Sequence, residues 1–216
     1  MGTPCGVPSA PGGRVIRMST QPDLKADLHR YLREARDSLL AKLDGVSEYD
    51  ARRPLTPTGT NLLGLVKHVA SVQLGYLGET FGRPAGEPLP WDDEDAEPNA
   101  DMWATPQESR EELVALFRRS AAHADATVDA LPVDAVGRVP WWPEDRNEVT
   151  LHRVLVHLTA EVSRHAGHAD IVRELVDGSV GLRAPNDNLP DVDAAWWSAY
   201  RERLERAARE AAGVEA

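Results

Sequence analysis

The amino-acid sequence predicts an all-α protein, on three observations. In five stretches the apolar residues recur at steps of three and four, which is the period of one helix face. Proline and glycine gather between these stretches, and no stretch alternates strongly enough to indicate a strand. The 216 residues suffice for one domain with a hydrophobic core. We therefore assign residues 20–216 to a single helical domain and residues 1–19 to a disordered N-terminal extension.

The composition restricts the kinds of partner. A formal charge of −11 disfavours a nucleic acid or an anionic membrane, because their phosphate groups would be repelled. No apolar run reaches the roughly 18–20 residues that cross a bilayer. The single cysteine, Cys5, excludes an intrachain disulfide and fits a cytoplasmic protein. We expect a small-molecule partner and leave a homodimer open.

The first two helices are predicted at residues 22–43 and 61–81, with Gly82 placed to end the second. The link that follows, residues 83–105, is rich in proline and acidic residues and shows no helical period. A link of this length can cross the end of a bundle. The next helix therefore need not run antiparallel to the one before it.

The remaining three helices are predicted at residues 106–131, 150–177 and 192–212. Thr105 and Pro106 indicate the start of the third helix, because a capping hydroxyl precedes a proline at the first helical position. Gly178 is placed to end the fourth helix. Short apolar stretches in the two long links are candidates for minor strands.

The fourth predicted helix carries four side chains that can bind a metal. His157, Glu161, His165 and His168 fall within about 80° of one another around the helix. The same stripe holds valines, so we expect it to face the bundle core. Titratable groups are costly to bury unless each finds a partner. A divalent cation satisfies them, because imidazole and carboxylate are ordinary ligands of Zn, Ni, Fe and Mn.

Two ligands on one helix leave such a site incomplete. His68, on the apolar second helix, is the best candidate for the third ligand. Three protein ligands leave coordination positions open, which is typical of catalytic sites. Plainer readings stay open at this point. His68 and His157 are also compatible with hydrogen-bonded core histidines, and Glu161 with His165 forms a plausible structural hydrogen bond.

Two motifs resemble those of DinB-like proteins, in particular the actinobacterial branch that includes the mini-circle protein. Residues 53–68 read RPLTPTGTNLLGLVKH and resemble the start of the second helix of that family. Residues 161–170 read EVSRHAGHAD and resemble its fourth-helix motif. The resemblance covers roughly residues 22–180. It departs at Val162, where relatives often carry an aromatic residue, and at His168, where many carry glutamine.

The resemblance implies a four-helix bundle with a long crossover between helices 2 and 3, here followed by a C-terminal helix. It also implies a metal triad of His68, Glu161 and His165. The chain is similar to the N-terminal domain of mycothiol-dependent maleylpyruvate isomerases, which have the same His, Glu, His set with zinc. Zinc is therefore the expected metal, with nickel, iron or manganese as alternatives.

The functional hypothesis is a metal-dependent S-transferase or isomerase that uses a low-molecular-weight thiol, such as mycothiol, and an electrophilic substrate. His157 or His168 would orient a ligand or act as a general base. Arg164 would pair with a carboxylate of a substrate. One alternative is a metal-dependent hydrolase. The other is a non-catalytic, stress-related metal-binding protein, in which His157 or His168 would be a fourth ligand.

Overall fold

The computed structural model describes residues 23–93, 95–182 and 189–214, and the extension expected at residues 1–19 lies outside them. Its helices are α1 (Leu24–Ala41), α2 (Glu48–Arg52), α3 (Leu62–Leu77), α4 (Arg110–Ala130), α5 (Leu151–Asp177) and α6 (Ala194–Ala212). Two short strands, β1 (Val136–Arg138) and β2 (Glu148–Thr150), form an antiparallel hairpin. The prediction of an all-α fold is confirmed. The short helix α2 is an element that the apolar period did not indicate.

The ends of α1, α3 and α5 follow from their capping residues. Asp23 accepts a hydrogen bond from the backbone of Ala26 and starts α1. Asn61 does the same for Gly64 at the start of α3. Gly178 ends α5 at a φ of 76°, a left-handed conformation that glycine adopts without strain, as the sequence predicted.

The predicted start of the third helix at Pro106 is wrong by four residues. The helix α4 begins at Arg110, behind a capping box in which Ser109 and Glu112 exchange side-chain-to-backbone hydrogen bonds. Glu108 does not lie in the first turn of the helix. Its carboxylate accepts a hydrogen bond from the Thr105 amide at 2.7 Å and pairs with the buried Lys67 of α3. Residues 105–108 therefore form a turn rather than the first turn of the helix.

Helices α1, α3, α4 and α5 form the four-helix bundle, and the long crossover joins α3 to α4. Residues that come later in α3 contact residues that come later in or near α4. Lys67 pairs with Glu108 at 2.8 Å, and Gln73 donates to Ser120 at 3.0 Å. The two helices are therefore parallel, which a short turn would not permit.

Contacts of α5 with α3 and of α1 with α4 determine the directions of the other two helices. The rings of His68 and His165 lie 4.7 Å apart and those of Tyr76 and His157 4.8 Å apart, so α3 and α5 are antiparallel. Lys25, near the start of α1, donates to the carbonyl of Leu131 just after α4, so these helices are also antiparallel. The bundle thus runs up, down, down, up.

The bundle encloses an aliphatic core with contributions from all four helices. Its most buried members include Leu32, Leu39, Leu63, Val66, Val69, Leu77, Phe117, Ala124, Val128, Leu155, Leu158 and Val162. Burial of this apolar surface is the main force that holds the helices together, and it fixes which face of α3 and of α5 is turned inward.

Helix α6 lies outside this core, whereas the hairpin contributes Val139 and Val149 to it. The hairpin loop carries Trp141 and Trp142, and Trp142 packs against the core while Trp141 is 51% exposed. Helix α6 buries none of its residues, and Trp196 and Trp197 lie against each other and against Tyr200 on it. None of the helices in the described part of the chain combines the length and apolar character needed to cross a membrane.

Candidate metal centre

Three side chains that the sequence singled out converge between α3 and α5. His68, Glu161 and His165 each offer one ligand atom, and these atoms all lie within 4.8 Å of one another. Nε2 of His165 lies 2.9 Å from Oε1 of Glu161, and Nε2 of His68 lies 3.7 Å from the same oxygen. Both imidazoles thus present Nε2 toward one carboxylate.

The helical spacing explains half of this arrangement. Glu161 and His165 are four residues apart on α5, so their side chains project from adjacent turns of one face. The antiparallel packing of α3 then brings His68 opposite them, with its ring edge-on to that of His165. Of the three, His165 is buried, while His68 and Glu161 are partly exposed on the side of a cleft.

A fourth residue, Asp101, completes the surroundings of His68. Its Oδ2 lies 2.6 Å from Nδ1 of His68. A carboxylate on the far nitrogen of an imidazole fixes the tautomer that leaves Nε2 free for a metal and makes that nitrogen more basic. Asp101 could not be identified from the sequence. It stands in the aperiodic crossover, 33 residues from His68, where no spacing rule relates it to a helix face.

The crossover is clamped at this point by one face of α3. Asn61 donates through Nδ2 to the carbonyl of Met102 at 3.1 Å. Gly64 lies so close to the same peptide that a Cβ atom there would collide with the Met102 carbonyl. Lys67, one turn further on, donates to the carbonyls of Ala100 at 2.8 Å and of Trp103 at 3.0 Å.

Lys67 is itself almost fully enclosed, with 1% of its surface exposed. A buried ammonium is tolerated only when its charge and its donors are satisfied. Here Glu108 supplies the counter-charge at 2.8 Å, the two crossover carbonyls take the remaining donors, and the ring of Trp91 lies 4.0 Å below. The motif shared with DinB-like proteins around residues 61–68 thus docks the crossover as well as carrying His68.

The protonation of the four groups follows from their contacts. Burial opposes the charged form of His68, but the hydrogen bond and charge of Asp101, together with Glu161, outweigh it and raise its pKa. The hydrogen bond from His68 lowers the pKa of Asp101. Burial works against ionised Glu161, yet its bond to His165 and the charge of that ring lower its pKa. Burial lowers the pKa of His165.

The donor set fits a divalent cation. Glu161 is ionised and His165 neutral at neutral pH, which are the forms that ligate, while His68 must lose a proton for its Nε2 to bind. Nδ1 of His165 is buried without a hydrogen-bond partner among the described residues, so this ring is held chiefly through its Nε2 side. Two imidazoles and one carboxylate are three ligands, the number found at metal sites that keep a position open.

The open side of the triad faces a cleft of about 780 Å³. The cleft lies between α3, α5, the first part of the crossover and the hairpin loop, and it contains no lysine or arginine among its described lining residues. Acidic groups line it instead. Asp92 is one of them, and partial desolvation together with the charges of Asp101 and Glu79 raises its pKa.

The three residues predicted to take part in catalysis lie in different places. His157 lines the cleft, with its ring 4.8 Å from Tyr76 and 5.6 Å from Trp142. His168 is exposed and lies 5.5 Å from the ring of His165, outside the cleft. Arg164 is also exposed, and it makes no ion pair with any residue that the structure describes. The roles predicted for His168 and Arg164 remain predictions.

Comparison with solved structures finds a similar fold at low sequence identity. A conserved protein from Enterococcus faecalis is 17% identical, with a TM-score of 0.54 over 74% of this chain and 100% of that chain. YfiT from Bacillus subtilis, described as a probable metal-dependent hydrolase with an unusual four-helix bundle topology, is 17% identical, with a TM-score of 0.49 over 78% of this chain and 96% of that one. No curated protein shows significant sequence similarity.

The family is established by sequence rather than by these structures. The model of the mycothiol S-transferase family matches residues 27–178, a span that runs from α1 to the glycine that ends α5. It includes all four bundle helices, the crossover and the three converging side chains. The chain therefore belongs to the mycothiol S-transferase family, a DinB-like family.

Proposed function

We propose that this protein is a metal-dependent transferase that joins the thiol mycothiol to an electrophilic substrate in the cleft. The observation that carries the proposal is the convergence of His68, Glu161 and His165 on the wall of an open cleft. Membership of the mycothiol S-transferase family supports the choice of thiol. In the reaction the thiol loses its proton, sulfur forms a bond to the electrophilic carbon, and the leaving group departs with the bonding electrons.

The metal ligands in this proposal are His68 and His165, through Nε2, and Glu161, through a carboxylate oxygen. Zinc is the metal we propose first, and the same donors accept nickel, iron or manganese. When bound, a divalent cation supplies the positive charge that lowers the pKa of a thiol and favours the thiolate at neutral pH.

The chain's own residues prepare the site for this chemistry. Asp101 accepts a hydrogen bond from Nδ1 of His68, which in the neutral ring places the proton on Nδ1, leaves Nε2 available to a metal and holds the ring in place. Lys67 and Asn61 hold the crossover segment that carries Asp101. The position of His68 is therefore set by α3 and the crossover before any substrate arrives, as preorganised sites require.

We propose His157 as the group that accepts the thiol proton. It lies on the cleft wall one helical turn before Glu161, on the same face of α5. Tyr76 and Trp142 pack on its ring and fix its orientation. A general base needs both access to the substrate and a defined position, and of the three candidates His157 is the one that the cleft exposes.

Elemental analysis of purified variants tests the metal site. We expect the wild-type chain to hold about one equivalent of a divalent metal and His68→Ala to lose it. His152→Ala is the matched control, because His152 is an exposed histidine in the first turn of α5 and should leave the metal in place. Full metal content in His68→Ala would overturn the triad.

Thiol consumption tests the reaction. The metal-loaded protein, given mycothiol and a panel of electrophiles, should form thioethers, and His157→Gln should lower kcat more than it raises KM. A protein that holds metal but neither binds mycothiol nor consumes thiol would refute the transferase. Thiol-independent turnover of an ester would instead favour the hydrolase, in which water takes the open position.

A further inference from the structure

One aromatic side chain in the cleft is exposed where a buried position would be expected. Trp141, in the hairpin loop, lines the same cleft as His68 and Glu161, yet 51% of its surface is accessible. Its neighbour Trp142 packs on the core and donates through Nε1 to the hydroxyl of Tyr76 at 3.1 Å. The two neighbouring tryptophans therefore have different environments, one packed on the core and one half-exposed in the cleft.

Trp141 is held at the tip of its indole, while about half of its surface stays exposed. A Cβ atom built at Gly75 would lie 2.7 Å from Cη2 of Trp141 and 3.4 Å from Cζ2 and from Cζ3. The tip of the indole therefore enters a notch that exists because residue 75 has no side chain. The ring centroid of Tyr76 lies 5.1 Å from that of Trp141 at an interplanar angle of 77°, a T-shaped contact that also helps to hold the indole.

The distance of this ring from the triad sets the size of a ligand that would touch both. Gly75 follows His68 by seven residues on α3, which corresponds to about 10 Å along the helix at 1.5 Å per residue. The cleft is continuous between them and is lined there by Ser71 and Val72. A ligand with sulfur at the triad thus reaches Trp141 with a group about 10 Å away.

We propose that Trp141 is a stacking platform for a ring carried by the thiol substrate, and that Gly75 sets its position. The ring would have a flat apolar face, as a pyranose or a cyclitol has, and would lie against the exposed surface of the indole. The absence of lysine and arginine from the described cleft lining fits an uncharged, hydroxyl-bearing group better than an anionic one. This inference rests on the proposed function, because it takes the sulfur to lie at the triad.

Equilibrium binding to the metal-loaded protein tests the platform without turnover. The probes are mycothiol, which carries sugar and cyclitol rings, and N-acetylcysteine, which carries the same thiol without them. We expect Trp141→Ala to weaken mycothiol binding roughly five- to tenfold and to leave N-acetylcysteine binding unchanged. Trp196→Ala, which removes a similarly exposed tryptophan from α6, is the control and should change neither.

The Gly75→Ala variant tests whether the position of the Trp141 ring matters, because it displaces the ring without removing it. The added methyl group would displace the tip of Trp141, and the half-exposed side chain can swing away without disturbing the core. Alanine also suits a helix interior better than glycine, so the fold should be kept. We expect the same selective loss of mycothiol affinity as in Trp141→Ala, with an unchanged circular dichroism spectrum.

The outcomes are distinct from those for the transferase reaction. Equal losses for both thiols, no loss for either, or wild-type protein that binds the two thiols equally would overturn the platform. A raised KM for the electrophile with unchanged mycothiol binding would assign the ring to the electrophile and overturn the proposal as stated. Selective binding without thioether formation would support the platform while refuting the transferase.

Discussion

The ammonium group of Lys67 brackets Asp101: it donates to the carbonyl one residue before this aspartate and to the carbonyl two residues after it. Asp101 in turn holds Nδ1 of His68, the residue next to Lys67 in the chain. Lys67 and His68 therefore bind the same short segment of the crossover. Lys67 bonds to its backbone, and His68 bonds to the side chain of Asp101. The orientation of a proposed metal ligand depends on this loop.

Replacing Lys67 by methionine should weaken metal binding about tenfold, because partners in the outer shell of a site commonly contribute 10- to 100-fold. The variant should also lose roughly 1–3 kcal/mol of stability, since the partly buried Glu108 carboxylate and two crossover carbonyls lose their charged donor. Competition with a chromophoric zinc chelator measures the first effect and urea unfolding the second.

Lys42→Met is the matched control for that experiment. Lys42 is also buried, pairs with Asp170 at 2.7 Å and donates to the carbonyl of Gly181. Asp170 lies about 140° around α5 from His165, on another side of the helix. A similar loss of stability with unchanged zinc affinity is expected. Equal zinc affinities in the two variants would show that the clamp does not act on the metal site.

The His68–Asp101 pair should give the metal-free protein a specific pH dependence. The raised pKa of His68 stabilises the fold below the ordinary value of 6.5, and this contribution is lost as pH rises through the higher folded-state pKa. The lowered pKa of Asp101 stabilises the fold above 3.8, and this is lost as pH falls through the lower folded-state pKa. The pair therefore contributes most between those two values.

Asp101→Asn isolates this contribution. The difference in free energy of unfolding between wild type and variant, measured in urea with chelator present, should be larger at pH 5.5 than at pH 9. Imidazole NMR should show His68 titrating above 6.5 in the wild type and at a lower pH in the variant. A difference in stability that is the same at both pH values would contradict the pairing.

Gly64→Ala should destabilise the protein by about 1–3 kcal/mol, because the new methyl group collides with the Met102 carbonyl and pushes the crossover outward. Zinc affinity should fall with it. Gly167→Ala is the control: a Cβ atom there meets nothing within 4 Å, so the change should stabilise α5 by up to about 1 kcal/mol. Chemical denaturation measures both, and equal effects would exclude the clash.

Removal of the metal should lower the melting temperature of the wild type by several degrees, since a ligand that binds the folded state alone stabilises it by RT ln(1 + L/Kd), where L is the concentration of free ligand. His165→Ala should melt at the same temperature with and without chelator. Differential scanning calorimetry checks both, and a chelator effect that survives in His165→Ala would place the metal elsewhere.

Much of the helical framework could be predicted from the sequence, because it depends on local signals. The span of α5 followed from a periodic apolar face and from Gly178, and it agrees with the structure within one residue at its start. The start of α4 was misjudged for a non-local reason. Glu108, which would support a helix beginning at Pro106, instead pairs with Lys67 across the bundle.

The same difference between local and non-local signals decides which residues of the candidate site could be predicted. The spacing of Glu161 and His165 was enough to place them on one face, whereas His68 required the resemblance to a family to be preferred over a plain core histidine. Asp101 and Trp141 were missed as site residues. Both lie in aperiodic links, where the position of a side chain depends on which helix the link is docked against.

The two parts of the crossover are held to α3 to different degrees. The geometry of the metal site and the shape of the cleft therefore depend on different residues of this link. Its later part, around Asp101, is bound to α3 by hydrogen bonds and by close backbone approach. Its earlier part, residues 84–89, supplies cleft wall through side chains that the clamp does not engage. Exchange of residues 84–89 between relatives should therefore alter which substrates are accepted while the metal site is retained. One continuous segment of chain would thus hold the metal site at one end and shape the cleft at the other.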